Sequence, residues 1–173
     1  MSPGSCWSRA VVSGVVLLGL SSAGCRAPDP QQELELIGIE TYWAIDSKVG
    51  DTNYLAPVVR FQLRNKGTAP HRAIRMKAAF RRVGERVWAE AFRQVSPVAG
   101  QPLAAGASLE VVFKPEGEGR YKSPEEPEAM LKNPQFKDVT AEVFAVVGRS
   151  SWSKLATVDV ERRIGSRTVQ DLP

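Results

Sequence analysis

Alternation of apolar and polar side chains, renewed in one short segment after another and broken each time by turn-forming residues, confines this chain to β architecture. In Val58-Val59-Arg60-Phe61-Gln62-Leu63-Arg64, Val59, Phe61 and Leu63 point one way and Arg60, Gln62 and Arg64 the other. Successive side chains of a strand face opposite sides, so this segment reads as half-buried with a basic outer face. Asn65-Lys66-Gly67 ends it, because Asn and Gly tolerate the backbone angles of a reversing chain.

The same reading gives the other strands. Glu33 to Trp43 is the first, with Ile37, Ile39, Thr41 and Trp43 on one side and Gly38 marking a bulge. Ile74, Met76, Ala78 and Phe80 form the third set, Val87, Ala89 and Ala91 the fourth, and Leu109, Val111 and Phe113 the fifth. Val139 to Val147 is the most β-prone stretch and reads as a central strand; Trp152 to Arg162 supplies the seventh. One segment differs in kind: Ser123-Pro124-Glu125-Glu126 has the pattern of a capping box and predicts a short helix over Pro124–Lys132. About seven strands with turn signals and no helical repeat predict an all-β, antiparallel immunoglobulin-like sandwich over residues 33–163. Its core takes Trp43 and Trp152. The segment 25–32 is Pro-rich and polar and reads as a tether, and 164–173 as a disordered tail.

The hairpin about Gly84 has two parities. A two-residue turn at Gly84-Glu85 sets Phe80 opposite Ala89 and Ala78 opposite Ala91, and puts Arg81 beside Trp88 and Lys77 beside Phe92 on the outer face. A three-residue loop buries Trp88 and Phe92 but carries Glu90 inward with them. The exposed version is preferred, since burying an unpaired carboxylate costs several kcal/mol. Lys77, Arg81, Trp88 and Phe92 are therefore the candidate binding surface. The charge pattern agrees: ten basic residues stand against two acids between Arg60 and Arg93, in a chain whose net charge is only +4, and an acidic excess follows from Glu110 to Glu142.

Ahead of the domain, Arg9 precedes an apolar run from Ala10 to Leu20, too short to span a bilayer core but suited to the apolar region of a secretory signal. Ser21-Ser22-Ala23-Gly24-Cys25 follows. Ala23-Gly24-Cys25 resembles the lipobox of bacterial lipoproteins, with Ser22 standing where that family usually has Leu. The resemblance implies removal of residues 1–24 and acylation of Cys25 by a diacylglycerol and an amide-linked chain. Ordinary secretion is the other reading, since Ser22 and Gly24 also make a small-x-small cleavage site. With Cys6 lost in the leader, Cys25 is the only mature cysteine, and a thioether to lipid accounts for its having no partner. Arg26 after the cysteine is similar to lipoproteins sorted to the outer membrane. Val59 to Gly67 together with Leu103-Ala104-Ala105-Gly106-Ala107-Ser108 resembles small bacterial immunoglobulin-like and FxLYD-like lipoprotein domains.

Chemistry is poorly provided for. The one histidine, His71, follows Pro70 and reads as a solvent-facing loop residue, without a nucleophile elbow to serve. Zinc needs three or four His or Cys ligands that the mature chain lacks, and Asp46 to Asp51 reads as a polar loop without calcium-loop spacing. Glu116 with Glu118, and Glu125 with Glu126, lie in a Gly-rich loop and at a helix start, where acids favour the dipole. The expectation is a non-catalytic, lipid-anchored envelope protein with no cofactor, no metal and no nucleic-acid partner, attached to the membrane through Cys25 and binding another envelope protein. The alternatives are a module for glycans or anionic headgroups and an accessory subunit of an envelope enzyme.

Overall fold

The computed structural model describes residues 27–97 and 100–165. The leader, Cys25 and most of the tail lie outside them. Eight strands form two antiparallel sheets: β1 Leu34–Val49, β2 Thr52–Asn65, β3 Ile74–Arg82, β4 Val87–Val95, β5 Ser108–Phe113, β6 Tyr121–Ser123, β7 Val139–Val147 and β8 Ser153–Asp159. The first sheet has the order β1-β2-β5, with β6 also paired to β2; the second runs β4-β3-β7-β8. Connections cross between layers after β2, after β4 and on the way from β5 to β7, the Greek-key habit of an immunoglobulin-like sandwich.

The alternating segments face as their sequences require. Val59, Phe61 and Leu63 of β2, Met76, Ala78 and Phe80 of β3, and Val139, Ala141, Val143, Ala145 and Val147 of β7 are all buried in one core. Phe61 meets Phe113 there at 6.1 Å between ring centroids. Trp43 is 1 % exposed and packs edge-on against Phe136 at 4.9 Å, as expected of a core tryptophan. Its indole Nε1 is buried and finds no acceptor among the described residues.

Bulges account for the departures. Gly38 sits at φ +61° where the β1–β2 register slips between Ile37 and Glu40. The extra residue flips the parity, so Leu36 joins Ile39 against the core and Ile37, expected beside Ile39, is exposed. A second slip between Ile45 and Ser47 occurs at Asp46, and the hairpin continues to Val49 paired with Thr52. Asp46 to Val49 is thus strand, not loop. The Asp46 carboxylate accepts from Lys114 Nζ at 2.7 Å and Arg120 Nη1 at 2.8 Å, fastening the β5–β6 loop to β1.

Burial alone would push the Asp46 carboxyl up, but the hydrogen bonds and charges of Lys114 and Arg120 outweigh it and hold it below 3.8. A depressed carboxyl pKa contributes stability above the unfolded value and loses it as pH falls toward the folded one. Stability is therefore expected to decline as pH drops below about 4, and Asp46→Asn to flatten that decline while lowering the melting temperature at neutral pH. Melts across pH check both.

The helices also differ from expectation. The predicted helix begins later, at Pro127, and runs to Lys132, because Pro127 rather than Pro124 takes its first turn; the Ser123 hydroxyl accepts from Glu125 N at 3.2 Å in the approach. The tether is partly structured: Asp29 caps a one-turn helix, α1 Pro30–Glu33, accepting from Gln31 N at 3.0 Å, and Pro30 is buried. At the other terminus, residues 161–165 leave the second sheet for the first. Thr41 Oγ1 accepts from Glu161 N and donates to Asp159 O, and the Trp43 backbone pairs with Arg163 O at 2.8 Å and Gly165 N at 2.9 Å.

Candidate functional site

The surface expected from the hairpin is divided between the two faces of the second sheet. Lys77 pairs with Phe92, Ala78 with Ala91 and Phe80 with Ala89, as the two-residue turn required. The loop is longer, however, spanning 83–86, and a bulge sets Arg81 opposite Val87. Trp88 is the extra residue. It turns toward the core, its ring 6.4 Å from that of Trp43, with the Arg82 guanidinium 4.0 Å above it. Glu90 nonetheless stays outside and accepts from Lys77 Nζ at 3.0 Å. A bulge lets Trp88 and Ala89 share a side, so the choice between exposing Trp88 and burying Glu90 does not arise.

Lys77 and Phe92 remain on the outer face and gather two residues that alternation alone did not bring to them. Lys77 lies opposite Phe144 of β7 as well as Phe92 of β4. Its Nζ stands 5.3 Å from the Phe144 ring, 5.8 Å from Phe92 and 5.6 Å from Trp152. Trp152, expected in the core, precedes β8 and is 43 % exposed; Phe92 is 61 % exposed. Trp152 lies just past the turn that follows Gly148, before the alternation of β8 sets in, and so its facing could not be read from period two. Phe92 and Trp152, with Arg75, Arg93 and Gln94, line a shallow groove of about 380 Å³. Arg75 and Arg93 make no ion pair with a described residue.

Arg81 flanks this patch but is engaged. Its Nε donates to Glu142 at 2.7 Å, and Lys154 Nζ donates to the same carboxylate at 3.1 Å. These contacts hold the Glu142 carboxyl below the usual range, the Arg81 hydrogen bond contributing most. Arg60 likewise donates to Glu110 at 2.7 Å, so part of the basic surplus is balanced by the acidic segment. Of the cations that stay unbalanced, Arg75 and Arg93 border the aromatic patch.

His71 is not a solvent-facing residue. It is 8 % exposed, its backbone bridges that of Leu103, and its Nε2 lies 3.2 Å from Glu33 Oε2. Asn65 organises the same corner, donating to Ala69 O at 2.8 Å and Leu103 O at 3.0 Å. Glu33 O accepts from Lys66 N and Gly67 N, so α1 is clipped to the β2–β3 loop. His71 is thus a structural pin whose partner, Glu33 at the end of α1, no local motif could announce. Among the described residues there is no cluster of three or more His, Cys, Asp or Glu arranged to hold a metal, and no helix is long and apolar enough to cross a membrane.

No protein-family model matches this chain, and no curated protein is significantly similar to it. Among solved structures, the provisionally named ApaA protein from Bordetella pertussis is similar over 78 % of this chain and 96 % of its own, at 16 % identity and a TM-score of 0.40. A β-glucuronidase from glycoside hydrolase family 2 is similar over 69 % of this chain but 10 % of its own, at 12 % identity and a TM-score of 0.39. A structural genomics target, SoR45, is similar over 77 % and 86 % at 6 % identity and a TM-score of 0.38. These are distant likenesses between sheet proteins.

Proposed function

We propose that this is a non-catalytic cell-envelope protein, held to the membrane through acylated Cys25, that binds an acidic envelope protein with the outer face of its second sheet. The observation that supports it most is the cluster of Phe92, Phe144 and Trp152 around Lys77, two of its rings exposed and unpaired Arg75 and Arg93 alongside. Exposed aromatic rings bury large areas at little conformational cost, and neighbouring arginines add directional charge, the composition of binding hot spots. An acidic partner would complete the charge of the groove. The one histidine is committed to Glu33, and the carboxylate pairs Glu116 with Glu118 and Glu125 with Glu126 lie apart from the groove.

A photo-crosslinker at position 92 or 152, activated in intact envelopes, is expected to capture a protein with an acidic binding face. Phe92→Ala with Trp152→Ala is expected to weaken that partner's binding about tenfold or more, as loss of hot-spot aromatics does. The melting temperature should barely move, because both rings are exposed. Crosslinks to glycan or lipid alone from these positions would replace the protein partner with the corresponding ligand, and a steep loss of stability would return the rings to a packing role.

A further inference from the structure

We infer that the tether end of the sandwich is a seat for anionic phospholipid headgroups, so that the domain stands on the membrane by that end. The inference rests on the reading that Cys25 is acylated, and the charge distribution supports it separately.

All strand ends near α1 belong to one pole of the molecule. β1 begins there and β2 ends there; the loop to β3 is clipped to Glu33, and Gln31 Nε2 donates to Lys154 O at the start of β8. Gly148 N donates to Ala73 O, bringing the β7–β8 turn to the same pole. Arg64, Lys66, Arg72 and Arg149 are therefore gathered around α1, each exposed and none ion-paired with a described residue. The acids present are Asp29, Glu33 and Glu35; Asp29 caps α1 and Glu33 meets His71. The opposite pole carries no such surplus: the five acids against two basic residues between Glu116 and Glu128 are offset there by Arg82, Arg86, Lys132, Lys137, Arg162 and Arg163.

Distance supplies the rest. Cys25 stands four positions before the cap residue Asp29, a span of at most about 14 Å even when fully extended. An acylated Cys25 therefore keeps the cationic pole within about 14 Å of the headgroups, near enough for it to settle into the roughly 8 Å range of their attraction at physiological salt. Each basic residue near an anionic surface strengthens association about fivefold. The unequal charge of the two poles orients the body as well, cationic pole toward the membrane.

The test uses the full-length protein purified from membranes and reconstituted into vesicles of phosphatidylcholine alone or mixed with phosphatidylglycerol. Amide exchange over residues 64–72 and 147–150 is expected to slow about fivefold or more in the anionic vesicles only, with residues 115–128 unchanged. High salt and the double variant Arg72→Glu with Arg149→Glu should each abolish the difference while leaving vesicle flotation intact. Flotation with both vesicle types but equal exchange in both overturns this inference alone. Failure to float on phosphatidylcholine overturns the lipid anchor and this inference with it; neither result bears on Phe92 and Trp152, whose partner binding is measured separately.

Discussion

Trp43→Ala is expected to lower stability by about 3–5 kcal/mol, the range for truncating a buried aromatic, and hence the melting temperature by something on the order of 10–15 °C in a domain of this size. The ring is the shared wall of three elements. It touches Phe136 after the helix Pro127–Lys132 and Trp88 at the β4 bulge, and its backbone holds the crossing residues 163–165. Removing it leaves a cavity that neither sheet can close alone. Trp43→Phe should cost much less, because a smaller ring loses contacts but also removes the buried indole N–H that has no acceptor, and leaving such a donor unmade is worth about 1–3 kcal/mol. Thermal and denaturant unfolding of the two variants checks the order. Equal losses would assign the whole effect to packing.

The second large effect is expected at Gly119. Its φ is +90°, and an added Cβ would stand 2.3 Å from Ala89 Cβ and 3.1 Å from Pro115 Cβ. Strain of the backbone and overlap of the side chain act together here, so Gly119→Ala is expected to destabilise by about 2–4 kcal/mol. The same change at Gly84 or Gly106, where φ is also positive but nothing lies within 4 Å, should cost only about 1 kcal/mol. Comparing the three separates conformational strain from collision. Because Gly119 lies against β4, its displacement should also disturb the neighbouring turn of the chain at Trp88, measurable as a change in tryptophan fluorescence.

How much of this was legible beforehand depends on how local the cause was. Phe61, Met76, Phe80 and Val143 were readable as core because period two needs only the neighbouring residues. Lys77 beside Phe92 was readable because a hairpin register follows from its turn. Trp88 was not, since the bulge that turns it inward answers to Trp43 in the other sheet. Trp152 was misread for a related reason: it precedes its strand, where alternation has not begun. His71 was misread because its partner, Glu33, closes a one-turn helix 38 positions away where the sequence reads as the start of a strand. The short strand β6 pairs only with the far end of β2, and three residues are too few to carry a period. Phe144 joined the candidate patch only once β7 was known to lie beside β3.

The crossing of residues 161–165 from one layer to the other has a mechanical consequence. Thr41 and Trp43 grip a segment that is continuous with β8, so the two sheets cannot slide past each other or come apart without first tearing that segment from β1. Shear between the layers is thereby coupled to loss of the seam around Trp43. The protein should melt as one cooperative unit, with neither layer persisting as a partly folded remnant whose bare apolar face would be left open to association.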